Sequence, residues 1–270
     1  MLKNYLTDPL YSYEELCSAC PLEEETYYLC YLTHPSEQRF INDNHKDIPA
    51  ASICSILLEN FHVLSENNLI QTGSCSFALL IPCSVLDDID LSLPDFAGQL
   101  VDYFHRFLAM PLLICISIAP CPPSQLKARY QACAGARFLH FYGYESPFIF
   151  EHVNIRHYLN FKGYRTFSSE ILENYLKKGL SEDIGPFDSF LEKCVEETIH
   201  PELVKEYFIQ MCTYIDIAIH ANLMDGSFDL QAAIDGSTSL SALEETMYHF
   251  FHQASQAILE DISLYRKEVI

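Results

Sequence analysis

The chain has 270 residues, enough for one large domain or two ordinary ones with cores of their own. With 49% apolar and 20% charged residues, its composition is that of a folded protein and excludes an intrinsically disordered one. Acidic residues outnumber basic ones 37 to 16, a formal net charge of -21, which leaves too few Lys and Arg for a nucleic-acid footprint and disfavours adsorption to anionic membranes.

Met1 to Tyr5 lead into acidic and polar positions and not into the apolar stretch of a secretory signal. After an opening helical segment, Glu25 to Leu32 is rich in strand formers and reads as a first strand. Ile48 to Leu64 follows with Ile53, Ile56, Leu57, Phe61 and Leu64 at helical spacing. Gln71 to Pro82 reads as a strand, a turn opened by Gly73 and a second, apolar strand closed by proline. Pro94 opens a helix with Phe96, Leu100, Tyr103, Phe104, Phe107 and Leu108 on its apolar side. Leu112 to Ala119 is a near-continuous apolar run, as a strand buried on both faces requires. The longer run Phe107 to Ala119 is too short to span a bilayer and is interrupted by Pro111, so no membrane partner is expected. Ser124 can cap a third helix running through Tyr130, Ala134 and Phe138 to Gly143, and Phe148 to Phe150 makes a last short strand.

Strands and helices thus alternate over residues 1–153, which predicts an α/β (α+β) domain with a mixed sheet covered by helices. Beyond about Asn154 strand patterns nearly vanish, and residues 154–270 read as an all-α domain. There Ser168 or Ser169 can cap a helix through Leu180, and Gly185-Pro186 marks a break. A long helix runs from Pro201 towards Asp225-Gly226, and Ser239 or Ser241 opens the last one. Leu203, Tyr207, Phe208, Met211, Ile215 and Ile219, with Phe250, Phe251 and Ile258, offer more apolar surface than one short bundle easily buries, which points to a homodimer; the alternative is a single intramolecular core with the sheet domain. The 11 cysteines are an odd number in a chain too large for a disulfide scaffold, and this favours reduced, mostly buried thiols in the cytoplasm.

Gly73-Ser74-Cys75-Ser76-Phe77, followed by the apolar Ala78 to Ile81, resembles the hairpin of GGDEF domains, where Gly-Gly-Asp/Glu-Glu-Phe precedes a short apolar strand. The order strand, helix, hairpin, helix, strand, helix, strand is also that of the nucleotide-cyclase-like fold. Gly73 and Phe77 match the pattern, while Ser74, Cys75 and Ser76 replace the second glycine and both acidic residues. The resemblance implies that the hairpin is kept as scaffold and lost as a catalytic site, because a serine and a thiol cannot replace hard, charged oxygen ligands to metal. GGDEF enzymes also carry an aspartate just after the first strand, where this chain has Leu32-Thr33-His34-Pro35; Phe40-Ile41-Asn42-Asp43 is similar to a later motif with its phenylalanine displaced.

Two further stretches extend the likeness. Ile114 to Ala119, followed by Ser124-Gln125-Leu126-Lys127-Ala128-Arg129-Tyr130, is similar to the strand and Ser-x-Leu-x-x-x-Tyr helix of AraC-type regulators of the YesN-like branch, and Tyr142-Gly143 with Phe148-Ile149-Phe150 to their glycine turn and last strand. In that group a degenerate GGDEF-like domain precedes a helical linker and a helix-turn-helix DNA-binding domain. The closing Leu264 to Ile270 resembles the lead-in to that domain, which is absent from this sequence. The resemblance implies a non-catalytic sensory module: no cofactor, DNA contacted only through the absent domain, and a small molecule or an upstream signalling domain as the input.

Other constellations are weaker. Cys17-x-x-Cys20 with Cys30 and His34 has ligand types for zinc, but Cys30 lies within a predicted strand and the spacing fits no common finger. His249-x-x-His252 with Glu244 and Glu245 lacks the i, i+4 histidine pair of zinc proteases, so no metal site is expected. No nucleophile elbow, phosphate-binding glycine loop or dinucleotide fingerprint is present. Two rival functions stay open on the sequence: an enzyme or nucleotide-binding protein with an unrecognised site, and a stand-alone interaction protein.

Overall fold

Seven consecutive strand formers, Tyr27 to Thr33, make the central strand β1, and six of the seven are buried. The computed structural model describes residues 1–19, 26–34, 50–61, 64, 66–88, 90–108, 112–151, 155, 185–219 and 230–268. Helices α1 (Leu2–Thr7) and α2 (Tyr13–Ala19) precede β1. After it come α3 (Ala50–Asn60), β2 (Leu69–Gln71), β3 (Ser76–Pro82), α4 (Cys83–Asp88), α5 (Leu93–Leu108), β4 (Leu113–Ser117), α6 (Leu126–Ala136) and β5 (Phe148–Phe150).

β1 is bonded antiparallel on both sides, to β3 from Tyr27↔Pro82 to Thr33↔Ser76 and to β4 from Cys30↔Ile116 to Thr33↔Leu113. β2 pairs antiparallel outside β3, and β5 pairs parallel outside β4. The result is a five-stranded mixed sheet of order β2-β3-β1-β4-β5. Its first four strands, with α3 and α5 as the crossovers, form the split βαβ arrangement, and α6 adds β5 at the edge. Side chains alternate across the sheet. Cys30, Leu32, Phe77, Leu79, Ile114 and Ile116 pack with residues of α3, α4 and α5. Leu29, Tyr31, Ala78, Leu80, Leu113 and Cys115 pack with residues of α1, α2 and α6.

Local chemistry sets the ends. Ser92 accepts from the Asp95 N–H and bonds the Asp95 carboxylate, closing the first turn of α5. Ser124 does not cap the third helix as expected. Pro123 starts a 3₁₀ turn, Pro123–Gln125, so α6 begins only at Leu126 without a side-chain cap. The Ser124 carbonyl instead accepts the Tyr5 hydroxyl at 2.9 Å. Lys127 directs its three ammonium N–H groups to the carbonyls of Asp8 (2.7 Å), Pro9 (3.0 Å) and Tyr11 (2.9 Å), which ties the α1–α2 connection to α6. Past α6 the chain continues as a 3₁₀ turn to Tyr142 and stops at Gly143, whose φ of 86° suits glycine.

By contact the chain divides into two compact units, Met1–His140 with Tyr144–Val153, and Phe141–Gly143 with Asn154–Ile270. The second unit's described elements are all helical: α7 (Gly185–Glu196), α8 (Pro201–Ile219), α9 (Leu230–Asp235) and α10 (Leu240–Glu268). Gly185-Pro186, expected as a break, opens α7, since proline is well placed in a first helical turn. The predicted helix from Ser168 or Ser169 to Leu180 and the stop at Asp225-Gly226 lie outside the described residues. Ser239 caps α10, its Oγ accepting from Ala242 N–H at 3.1 Å.

Phe187 centres the helical core, 5.5 Å from Phe208 and edge-on to Phe251 at 5.4 Å, while Phe190 stacks on Tyr207 at 4.4 Å. This corrects the expectation of surplus apolar surface. Tyr207, Phe208, Met211, Ile215, Phe250 and Phe251 are buried in the unit's own core, and Leu203 and Ile219 pack against it. The reason is that α7 and α9 supply partners such as Phe187, Leu191, Leu230 and Ile234. Ile258 lies outside the residues whose side chains are described. No helix of the described residues is long and apolar enough to cross a membrane.

Phe208→Ala is expected to lower unfolding free energy by about 3–5 kcal/mol, read from denaturant midpoints, because the side chain is fully buried. Phe107→Ala, at a position 55% exposed, is expected to stay within about 0.5 kcal/mol of the parent.

Candidate functional site

Antiparallel pairing places the last residue of β1, Thr33, beside the first of β3, Ser76, and the first of β4, Leu113. The turn from Thr72 to Cys75 closes at this same end of the sheet, with the N–H groups of Thr72 (2.9 Å) and Gly73 (3.0 Å) both donating to the Ser76 carbonyl. This is where the residues singled out from the sequence meet. Ser74 is exposed and Gly73 half-buried, while Cys75, Ser76 and Phe77 are buried. Phe77 enters the core shared with α3 and α5.

Ser76 points to the other face and joins a chain of polar groups. Tyr31 donates its hydroxyl to Ser76 Oγ at 3.1 Å, and Thr33 Oγ1 shares a hydrogen bond with Ser76 Oγ at 3.2 Å. Arg137, from the 3₁₀ turn after α6, donates from Nη1 to the Tyr31 hydroxyl at 3.1 Å. Tyr130 meets the Tyr31 ring edge-on at 5.7 Å. His34 follows Thr33 and is half-buried, and burial lowers its pKa towards the neutral form.

The chemistry open to this arrangement is limited. The hydroxyls that Ser76 meets offer no charge to hold a divalent cation, which takes carboxylate and carbonyl oxygens. Serine becomes a nucleophile beside a base that takes its proton. Tyr31 is a hydrogen-bond donor to Ser76 and not a base, and the Arg137 guanidinium stays protonated at ordinary pH. The network therefore fastens the hairpin to α6. Arg137 and Tyr31 were not among the residues singled out from the sequence, and Tyr130 was named only as part of the helix after Ser124. The separations of 45 residues from Tyr31 to Ser76 and 106 from Tyr31 to Arg137 leave no local pattern to find them by.

At the opposite end of the sheet Arg129 Nη1 donates to Ser117 Oγ at 2.9 Å, and Cys133 donates its thiol to the Leu29 carbonyl at 3.4 Å. Burial pushes the Cys133 thiol up to about 12. Burial raises the Cys30 and Cys115 thiols well above their ordinary range too.

The zinc constellation is not assembled. Cys17 is exposed on α2, Cys30 is fully buried in β1, and Cys20 lies outside the described residues. His249 and His252 bond the side chains of Gln253 (3.1 Å) and Gln256 (3.0 Å) along the exposed face of α10. Among the described residues no group of three or more His, Cys, Asp or Glu is placed to hold a metal ion. Phe40 to Asp43 lie outside the described residues.

Comparison of the chain with protein-family models, with curated proteins and with solved structures finds no match in any of the three.

Ser76→Ala and Tyr31→Phe are each expected to destabilise by about 1–2 kcal/mol, with the double variant less than additive because the two share one bond; denaturant titration of the cycle reads this. The buried thiols also set a pH dependence. Cys133 and Cys194 are both pushed up to about 12 by burial, from an ordinary value near 9. A folded-state pKa above the unfolded one means stability is fully present below about 9 and lost as pH rises towards 12. Unfolding free energy measured across that window should fall with pH, and Cys133→Val should flatten part of the slope.

Proposed function

We propose that the chain is a non-catalytic sensory and regulatory module of a bacterial, cytoplasmic transcription regulator of the AraC family, YesN-like branch. Its first unit would be a degenerate GGDEF-like domain, and its output a helix-turn-helix DNA-binding domain outside these residues. One observation carries the reading. The hairpin and the end of β1 lie together at one end of a β2-β3-β1-β4-β5 sheet, and the positions that carry acidic residues in GGDEF enzymes hold Thr33, His34, Cys75 and Ser76.

The mechanism is a shift of conformational balance. A small molecule or an upstream signalling domain favours one state of the chain, and α10 carries the change onward. That helix has 29 residues, a length of about 43 Å at about 1.5 Å per residue. A homodimer would hold two DNA readers at the spacing of paired half-sites, about 34 Å or a multiple. The net charge of -21 keeps this segment itself off DNA and off anionic membranes.

The test is biochemical. Purified chain with GTP and magnesium or manganese should yield no cyclic dinucleotide, and residues 1–270 should give no specific, salt-sensitive gel shift near physiological salt. A longer chain carrying the downstream helix-turn-helix should bind DNA. Turnover of GTP would overturn the non-catalytic reading, and a specific shift by the 270 residues alone would overturn the assignment of DNA binding elsewhere.

A further inference from the structure

The two faces of the five-stranded sheet are not alike. The side that packs with α3, α4 and α5 presents Cys30, Leu32, Phe77, Leu79, Ile114 and Ile116. The side that packs with α1, α2 and α6 carries all the buried polar residues of the described strands, Thr33, Ser76 and Ser117, together with the Tyr31 hydroxyl. What covers that side differs as well. α6 is a helix of 11 residues, whereas the α1–α2 arm offers helices of 6 and 7, too short to persist in water without a surface to lie on. The arm adds no strand to the sheet, and among its described side chains only Tyr5, Leu6 and Leu16 are buried. α1 packs on both α6 and the edge strand β2. Hydrogen bonds tie the arm to the start of α6: Tyr5 donates to the Ser124 carbonyl, and the Lys127 ammonium donates to the carbonyls of Asp8, Pro9 and Tyr11.

A pair of helices that is folded only when docked has two states, on the sheet and melted off it. We infer that the α1–α2 arm is a strap that opens as a unit from the polar side of the sheet, with Lys127 as its latch. Docked, all three donors of the ammonium meet oxygen. Lifted, the ammonium returns to water, and the three carbonyls lose one shared donor group together, so the strap lets go in a single step. Water admitted to this side meets hydroxyls that it can bond. Lifting α5 from the opposite side would instead bare Phe96, Leu100 and Phe104, and that cover stays shut. The strap is thus the one cover of the sheet whose release costs little apolar burial among the described helices, and a single side chain governs it.

The strap deepens the regulatory reading by naming an element that an input would displace, but it does not depend on that reading, and the two fail separately. A strap that opens in a chain whose longer form never binds DNA would stand while the regulator fell. Hydrogen–deuterium exchange of the whole chain, read peptide by peptide, is the experiment. In the parent, α1 and α2 should exchange together and faster than β1, β3 and β4. Lys127→Met should speed exchange in the arm by about tenfold, because it removes three charge-assisted bonds at once. Tyr5→Phe, which removes one bond and keeps the ring, should speed it by about threefold. Both variants should leave β4 as slow as in the parent, and Phe107→Ala, on the exposed side of α5, should leave the arm unchanged. An arm as slow as β4 in the parent, an arm unmoved by either variant, or strands that quicken in step with the arm would overturn the inference.

Discussion

A strand bonded on both edges and buried on both faces must hide its backbone in the sheet and nearly all its side chains from water, and β1, with only Tyr28 half-buried, is such a strand. Every other feature of the first unit answers that demand. Helices α3 to α5 cover one face and α6 the other, but α6 alone leaves part of that second face open. The α1–α2 arm fills the gap with Tyr5, Leu6 and Leu16, and Lys127 holds it through three backbone carbonyls. An ammonium is suited to the task because all three of its donors find oxygen there, while its charge lies over the Tyr5 ring.

The same constraint explains the polar chain at the hairpin end. Tyr31 occupies an inward position of β1, so its hydroxyl must find a partner or carry a desolvation cost. Ser76 accepts from it, Thr33 shares with Ser76, and Arg137 donates from outside. These hydroxyls satisfy one another and the guanidinium without a bound ion.

The helical unit is organised differently, around aromatic rings in place of a backbone ladder. Phe187, Phe190, Tyr207, Phe208 and Phe251 interlock in stacked, tilted and edge-on pairs, and Tyr142 donates its hydroxyl to the Ile199 carbonyl. Burial raises the pKa of that phenol and keeps it the donor. Rings from α7 and the aliphatic Leu230 and Ile234 of α9 fill the core, and the outward faces of α8 and α10 are left to residues such as Glu206, Thr213, Glu245 and His252.

What the sequence by itself determined is the periodic part of this protein. The strands at Tyr27, Ser76, Leu113 and Phe148, and the helices opened near Pro94, Pro201 and Ser239, follow from apolar spacing, proline and capping serine, which act within a few residues, whereas the first hairpin strand, Leu69–Gln71, ends where its sequence pattern starts. The hairpin with Gly73 and Phe77 was legible for the same reason. Where local signals compete, spacing alone does not place the helix start. At Ser124 the two prolines beside it override the cap, and at Gly185-Pro186 a pair that often ends helices begins one. Tertiary structure decided the rest. Which of Tyr207, Phe208, Phe250 and Phe251 would remain outside could not be read from α8 and α10 alone, because α7 and α9 come from elsewhere in the chain to bury them. The Arg137–Tyr31–Ser76–Thr33 chain was equally invisible, since sheet pairing and the return of α6 bring those four residues together across more than a hundred positions. Hydrogen bonds between distant residues leave no spacing to read, and only the packed fold brings their atoms within reach.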